Sequence, residues 1–159
     1  DLADADLVMD SANPTVELLE TMVKINDKVP SLRIMIDHLP QLDPKPEEQA
    51  GYNAVLKEIH GRPKIYAKLS EIDHRAMKER GLAAHKARLD QLMETFGEDR
   101  VVFGTDWPNS WGVATPAQIV DIARAYFATR SRAAAEKYFW KNSLVFYKWK
   151  QRAKNQPSL

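Results

Sequence analysis

The chain has 159 residues with no cysteine, 44% hydrophobic and 28% charged side chains, and 23 basic against 22 acidic groups, which is one domain, 1–159, long enough to bury a core. A net charge of +1 gives no basic footprint for nucleic acid, and no apolar run approaches the ~18 residues that would point to a membrane span. The absence of Cys excludes disulfides, thiolate-held zinc, iron–sulfur clusters and thiol nucleophiles, and it fits a reducing, cytoplasmic compartment.

Asp1 opens the chain instead of Met, and Leu2 to Ala5 carry no charged-then-apolar leader pattern, so the chain is expected to begin within a longer protein. Leu7-Val8-Met9 reads as a first strand, followed by the helical period Val16, Leu19, Val23, with Asn13-Pro14 expected as N-cap and first helical residue. Leu32 to Ile36 reads as a second strand, followed by a proline-rich loop from Leu39 to Pro46 and a helix through Tyr52, Val55, Leu56 and Ile59 that stops at Gly61. Lys64 to Leu69 is the third strand, with a helix through Leu82, Leu89, Leu92, Met93 and Phe96 ending at Gly97. Val101 to Gly104 is the fourth, followed by a loop to Ala114. Thr115-Pro116-Ala117-Gln118 then forms a capping box opening a helix to about Ala128, and a last helix runs from Ser131 to about Lys150.

Alternating strands and helices imply an α/β fold with a parallel sheet and right-handed crossovers, either an open sheet or part of a barrel. A complete (β/α)8 TIM barrel takes about 250 residues, so this chain holds half of one. Two open edges, at Leu7 to Met9 and Val101 to Gly104, together with Ile34, Ile36 and Val102 on the barrel side, are expected to expose backbone and apolar surface and to favour homo-oligomers. No glycine-rich phosphate loop follows any strand.

The long loops both follow strands, where such folds keep their chemistry. Side-chain alternation places Lys68 on one face with Tyr66 and Ser70, and Asp106 with Val102 and Gly104; His38, if it points inward, shares its side with Ile34 and Ile36. Asp106 ends an apolar strand and precedes Trp107-Pro108, which suits a general base, although a turn-capping carboxylate fits the same spacing. His38 suits carbonyl polarisation or proton transfer, against the alternative of a loop histidine bonded to backbone. Lys68 in a barrel interior needs an anionic partner or ligand. Trp107 is expected to line a pocket. Trp111, Trp140 and Trp149 are expected to pack, and His60, His74 and His85 to lie on the surface. Lys148, Lys150, Arg152 and Lys154 read as a solvated helix end without a nearby acid. Neither H-x-H nor H-E-x-x-H is present.

The stretches Ile36-Asp37-His38-Leu39-Pro40, Tyr66-Ala67-Lys68-Leu69-Ser70 and Arg100-Val101-Val102-Phe103-Gly104-Thr105-Asp106-Trp107-Pro108, with Lys141-Asn142-Ser143-Leu144 through Tyr147, resemble the C-terminal half of the amidohydrolase-related family. This family of metallo-dependent-hydrolase-like barrels includes sugar lactonases, dicarboxylate lactone hydrolases and a decarboxylase. The resemblance implies that the four strands are the fifth to eighth of the barrel. It implies that Asp106 activates water or also ligates a metal, that His38 assists at the substrate carbonyl, and that Lys68 is the strand-seven lysine of the K-L-S element; Lys68 and Trp107 are expected to bind substrate. Asp10-Ser11-Ala12-Asn13 has no histidine where metal-using members carry a ligand, Pro40 replaces the glycine of D-H-L-G, and Glu71 that of K-L-S-G. The expectation is therefore a hydrolase acting on a small-molecule lactone with no metal, or with zinc only in a full-length parent. The alternatives are a metal-dependent decarboxylase of the same fold and a truncated, non-catalytic half-barrel.

Overall fold

The computed structural model describes residues 1–70, 72 and 81–156; Glu71 and His74 lie outside the described residues. Its strands are β1 (Val8–Ser11), β2 (Arg33–Ile36), β3 (Ile65–Leu69) and β4 (Val101–Phe103). They are parallel and lie in the order β1-β2-β3-β4. Between and after them run the helices α1 (Val16–Lys28), α2 (Gln49–His60), α3 (Leu82–Phe96) and α4 (Pro116–Phe127). A continuous final helical stretch is made of α5 (Arg132–Glu136), a π-helical segment (Lys137–Lys141) and α6 (Asn142–Tyr147). No described helix is long and apolar enough to cross a membrane.

The helix boundaries follow local chemistry. Thr115 accepts the Gln118 N–H while the Gln118 side chain takes the Thr115 N–H, so the capping box forms as the sequence implies. Gly61 and Gly97 cap α2 and α3. The first helix starts later than expected: Thr15 is its N-cap, accepting from Leu18 N–H, and Pro14 precedes the cap. Asn13 takes a left-handed conformation, φ 56°, which ends the strand loop but places its side chain outside the cap position. The last helix ends at Tyr147 because Lys148 turns left-handed.

The larger core lies between the sheet and α1–α4. Ile34, Ile36, Ala67 and Leu69 meet Leu19, Tyr52, Ile59, Leu92 and Tyr126 there, all nearly fully buried. This overturns the expected direction of Ile34 and Ile36, which face the helices and expose nothing. The opposite face carries Met35, Tyr66 and Val102, and Phe146 of α6 covers them, its ring 4.6 Å from that of Tyr66. Val102 is thus buried too, and the apolar surface expected to favour oligomers is already occupied.

Two arginines and one asparagine pin the strand ends. Arg100 donates to the carbonyls of Ile59, His60, Arg62, Ile65 and Thr95, joining the ends of α2 and α3 to the start of β3. Arg33 donates to the carbonyls of Asp6 and Phe146. Asn142 donates to the carbonyls of Glu98 and Val101. Lys148, expected to lack an acid, pairs with Asp6, 142 residues away in sequence.

Candidate active site

The C-terminal ends of β2, β3 and β4 bring His38, Ser70 and Asp106 together. His38 Nε2 lies 3.4 Å from Asp106 Oδ1, and His38 Nδ1 lies 2.8 Å from Ser70 Oγ. Both imidazole nitrogens therefore face side chains, which decides against a loop histidine held by backbone.

His38 and Asp106 each follow a strand in the left-handed conformation, φ 57° in both cases. Non-glycine residues adopt that region at a cost, and such outliers gather at functional sites. For His38 it also explains why alternation misled. Met35 packs on the open face, Ile36 on the helix face, and Asp37 turns to Lys68. The next residue would point to the helices, and the left-handed turn brings it back.

Ser70 resembles the nucleophile of a Ser-His-Asp triad but is fully buried, so substrate has no access to its hydroxyl. Its hydroxyl holds the imidazole from the Nδ1 side. Sequence reasoning placed Ser70 on the correct face and missed this role; its position two residues after Lys68 was the available signal. Gly104 is required beside it, because a Cβ there would lie 2.9 Å from Ser70 Cβ and 3.2 Å from Lys68 Cδ. Gly104→Ala is expected to cost about 1–3 kcal/mol by overpacking, measured by urea denaturation. An unchanged midpoint would show that Ser70 and Lys68 yield without strain.

Lys68 sits beside this trio, two residues and about 6.6 Å along the chain from Ser70. Its ammonium lies 2.6 Å from Asp37 Oδ1 and 3.5 Å from Asp10 Oδ2, and Tyr147 donates its hydroxyl to the same Asp10 oxygen at 2.8 Å. Burial raises the Asp37 carboxyl above its ordinary value, with the Lys68 ammonium opposing that rise. Burial and the neighbouring Asp10 both hold the Tyr147 hydroxyl in its protonated form. The anionic partners required of an interior lysine are thus Asp37 and Asp10, neither of which the sequence reading singled out as a functional residue.

Trp107 is 43% exposed and its ring centroid lies 5.0 Å from that of Trp111, itself 66% exposed. Trp111 is therefore not a packing residue, and neither is Trp149, at 59%; Trp140 is partly buried. Among the histidines expected on the surface, His60 is exposed, whereas His85 is buried on the inner side of α3.

A zinc ion ordinarily takes four ligands. Among the described residues no three His, Asp or Glu side chains converge on one point. His38 and Asp106 supply two donors, while Asp10 and Asp37 already face the Lys68 ammonium. These residues do not by themselves fit a metal.

The amidohydrolase family model matches residues 3–149. The chain belongs to the amidohydrolase family. Within this family it is 28% identical over 117 residues to an L-fucono-1,5-lactonase from Burkholderia multivorans, covering 67% of this chain and 40% of that protein. An amidohydrolase from Burkholderia multivorans, solved with bound zinc, superposes with a TM-score of 0.78 at 23% identity, covering 92% of this chain and 54% of that one. An amidohydrolase from Bifidobacterium longum subsp. infantis gives a TM-score of 0.68 at 22% identity, covering 92% and 52%. The chain thus spans about half the length of these relatives, and at such identities the structural likenesses carry the fold.

Proposed function

We propose that these four strand–helix units are the C-terminal half of a (β/α)8 barrel, and that the whole protein hydrolyses a lactone using Asp106 and His38. The observation that carries this reading is the 3.4 Å approach of His38 Nε2 to Asp106 Oδ1 at the strand ends, with the imidazole oriented from behind by Ser70. Membership of the amidohydrolase family and the likeness to an L-fucono-1,5-lactonase support it.

Asp106 takes a proton from water as the water oxygen bonds to the lactone carbonyl carbon. The carbonyl electron pair moves to oxygen, where the His38 Nε2–H stabilises the growing negative charge. Collapse of the tetrahedral species breaks the ring C–O bond, and the departing alkoxide takes the proton back from Asp106. The product is an open-chain hydroxy acid. Trp107, next to Asp106 in the chain, is the proposed contact for a substrate ring; Lys68 would meet an anionic substrate group only in place of Asp10, the more distant of its two carboxylate partners.

The test is acid release from L-fucono-1,5-lactone, followed with a pH indicator, in the protein that carries this chain. Saturable hydrolysis above the spontaneous rate is expected. Its absence across sugar, simple aliphatic and aryl-fused lactones would sink the reading.

We also propose that the 159-residue chain by itself pairs through the outer edges of β1 and β4, since parallel strands leave unpaired backbone groups there. Light scattering at micromolar concentration should give a mass of twice 18.1 kDa or more. A monodisperse monomer would show that the edges are protected within one chain.

A further inference from the structure

Seven large hydrophobic side chains are exposed among the described residues, and two of them, Trp107 and Trp111, lie ring to ring on the loop that follows Asp106. Their planes meet at 55°, forming two walls of a corner, and a cavity of about 330 Å³ opens between them and Gly112, Val113 and Ala114. Among the described residues no charged side chain lines it.

This exposure belongs to a fixed loop. Ser110 N–H donates to the Asp106 carbonyl, Trp111 N–H to that of Pro108, and Val113 and Ala114 N–H to that of Ser110. Ser110 and Ala114 are buried, and the capping box at Thr115 and Gln118 fastens the far end. Two indoles held in place on the loop that follows a candidate base, at the cost of exposing apolar area to water, form a pre-organised stacking surface.

We propose that Trp107 and Trp111 form a substrate shelf, selecting lactones whose non-reacting side presents a flat ring. Trp111 is then a specificity-determining residue. The cavity volume suits one ring, and indole faces favour stacking. This proposal rests on the lactone hydrolase reading for the identity of the reacting group, while the shelf itself rests on the loop.

The test compares dihydrocoumarin with δ-valerolactone, the same six-membered lactone with and without a fused benzene ring. Indole Nε1–H resonances are followed by NMR during titration of the protein. Dihydrocoumarin is expected to shift the signals of Trp107 and Trp111 and to bind about tenfold more tightly, the scale of one aromatic stacking contact. Trp111→Ala should abolish that preference and, where turnover is measurable, raise KM while leaving kcat in place. Trp149→Ala, removing an exposed indole outside the shelf, should retain it. Equal binding of the two lactones, a preference that survives Trp111→Ala, or indole signals unmoved by either compound would each overturn the shelf. Preserved ring preference without hydrolysis would instead sink the hydrolase reading and leave the shelf standing, and hydrolysis without ring preference would do the reverse.

Discussion

Asp106→Asn is expected to lower kcat at least ~100-fold in the protein that carries this chain, because a positioned general base is worth roughly 10²–10⁴ in rate. The amide keeps the size of the carboxylate and loses its capacity to hold a proton. Asn109 Nδ2, which lies 3.4 Å from Asp106 Oδ1, finds an oxygen acceptor in either residue, so folding should be preserved. The His38 contact changes in kind: a 3.4 Å approach to a carboxylate becomes a weaker contact with a neutral group. The expected signature is a fall in kcat with little change in KM or in thermal midpoint. Retention of near-parental kcat would remove Asp106 from the role of base. A fall in kcat together with a large loss of stability would point to structure instead.

Lys68→Met should produce the largest loss of stability, at or below the lower end of the ~3–5 kcal/mol that removing one partner of a fully buried pair costs. Lys68 and Asp37 side chains are 20% and 15% exposed, so water replaces the lost ammonium only in part. The pH dependence separates this cause from a simple packing defect. Burial already raises the Asp37 carboxyl while Lys68 holds it down; without Lys68 it rises further. An acid whose folded value lies above its unfolded value of about 3.9 favours the folded state when protonated. Stability is therefore retained below that unfolded value and lost as pH climbs through the raised folded value. Denaturant midpoints of the variant should recover toward parental values near pH 4 and diverge most at neutral pH. A pH-independent deficit would show that Asp37 keeps its charge by another route.

The strand–helix alternation could be read from the sequence because each element is specified locally, by short apolar runs, by 3.6-residue periodicity, and by Thr115-Pro116, Gly61 and Gly97 at the boundaries. What alternation could not convey is a break in alternation. His38 follows its strand with positive φ, so the rule that works for Tyr66 and Lys68 reverses at the residue the site needs, and it assigned Ile34 and Ile36 to the wrong face. Lys68 could be recognised as requiring an anion, yet naming Asp10 as a partner means knowing which residue 58 positions away meets it. The same holds for Lys148 and Asp6 across 142 residues. His85 was misplaced because a polar residue on a helix is assigned to solvent by default. Trp111 was misplaced in the opposite direction, since a large indole is assigned to the core by default.

The last helix has a consequence for curvature. In a closed barrel the bend of the sheet is imposed by the return of the first strand to the last, so an isolated run of four strands would be free to flatten. Here Asn142 grips β4 at the Val101 carbonyl and Tyr147 grips β1 at Asp10, with Phe146 seated on Met35, Tyr66 and Val102 between them. The helix acts as a chord drawn across the sheet, tied to both outermost strands and seated on the face between them. The strands whose ends carry His38, Ser70 and Asp106 are thereby held together from the side opposite the other helices.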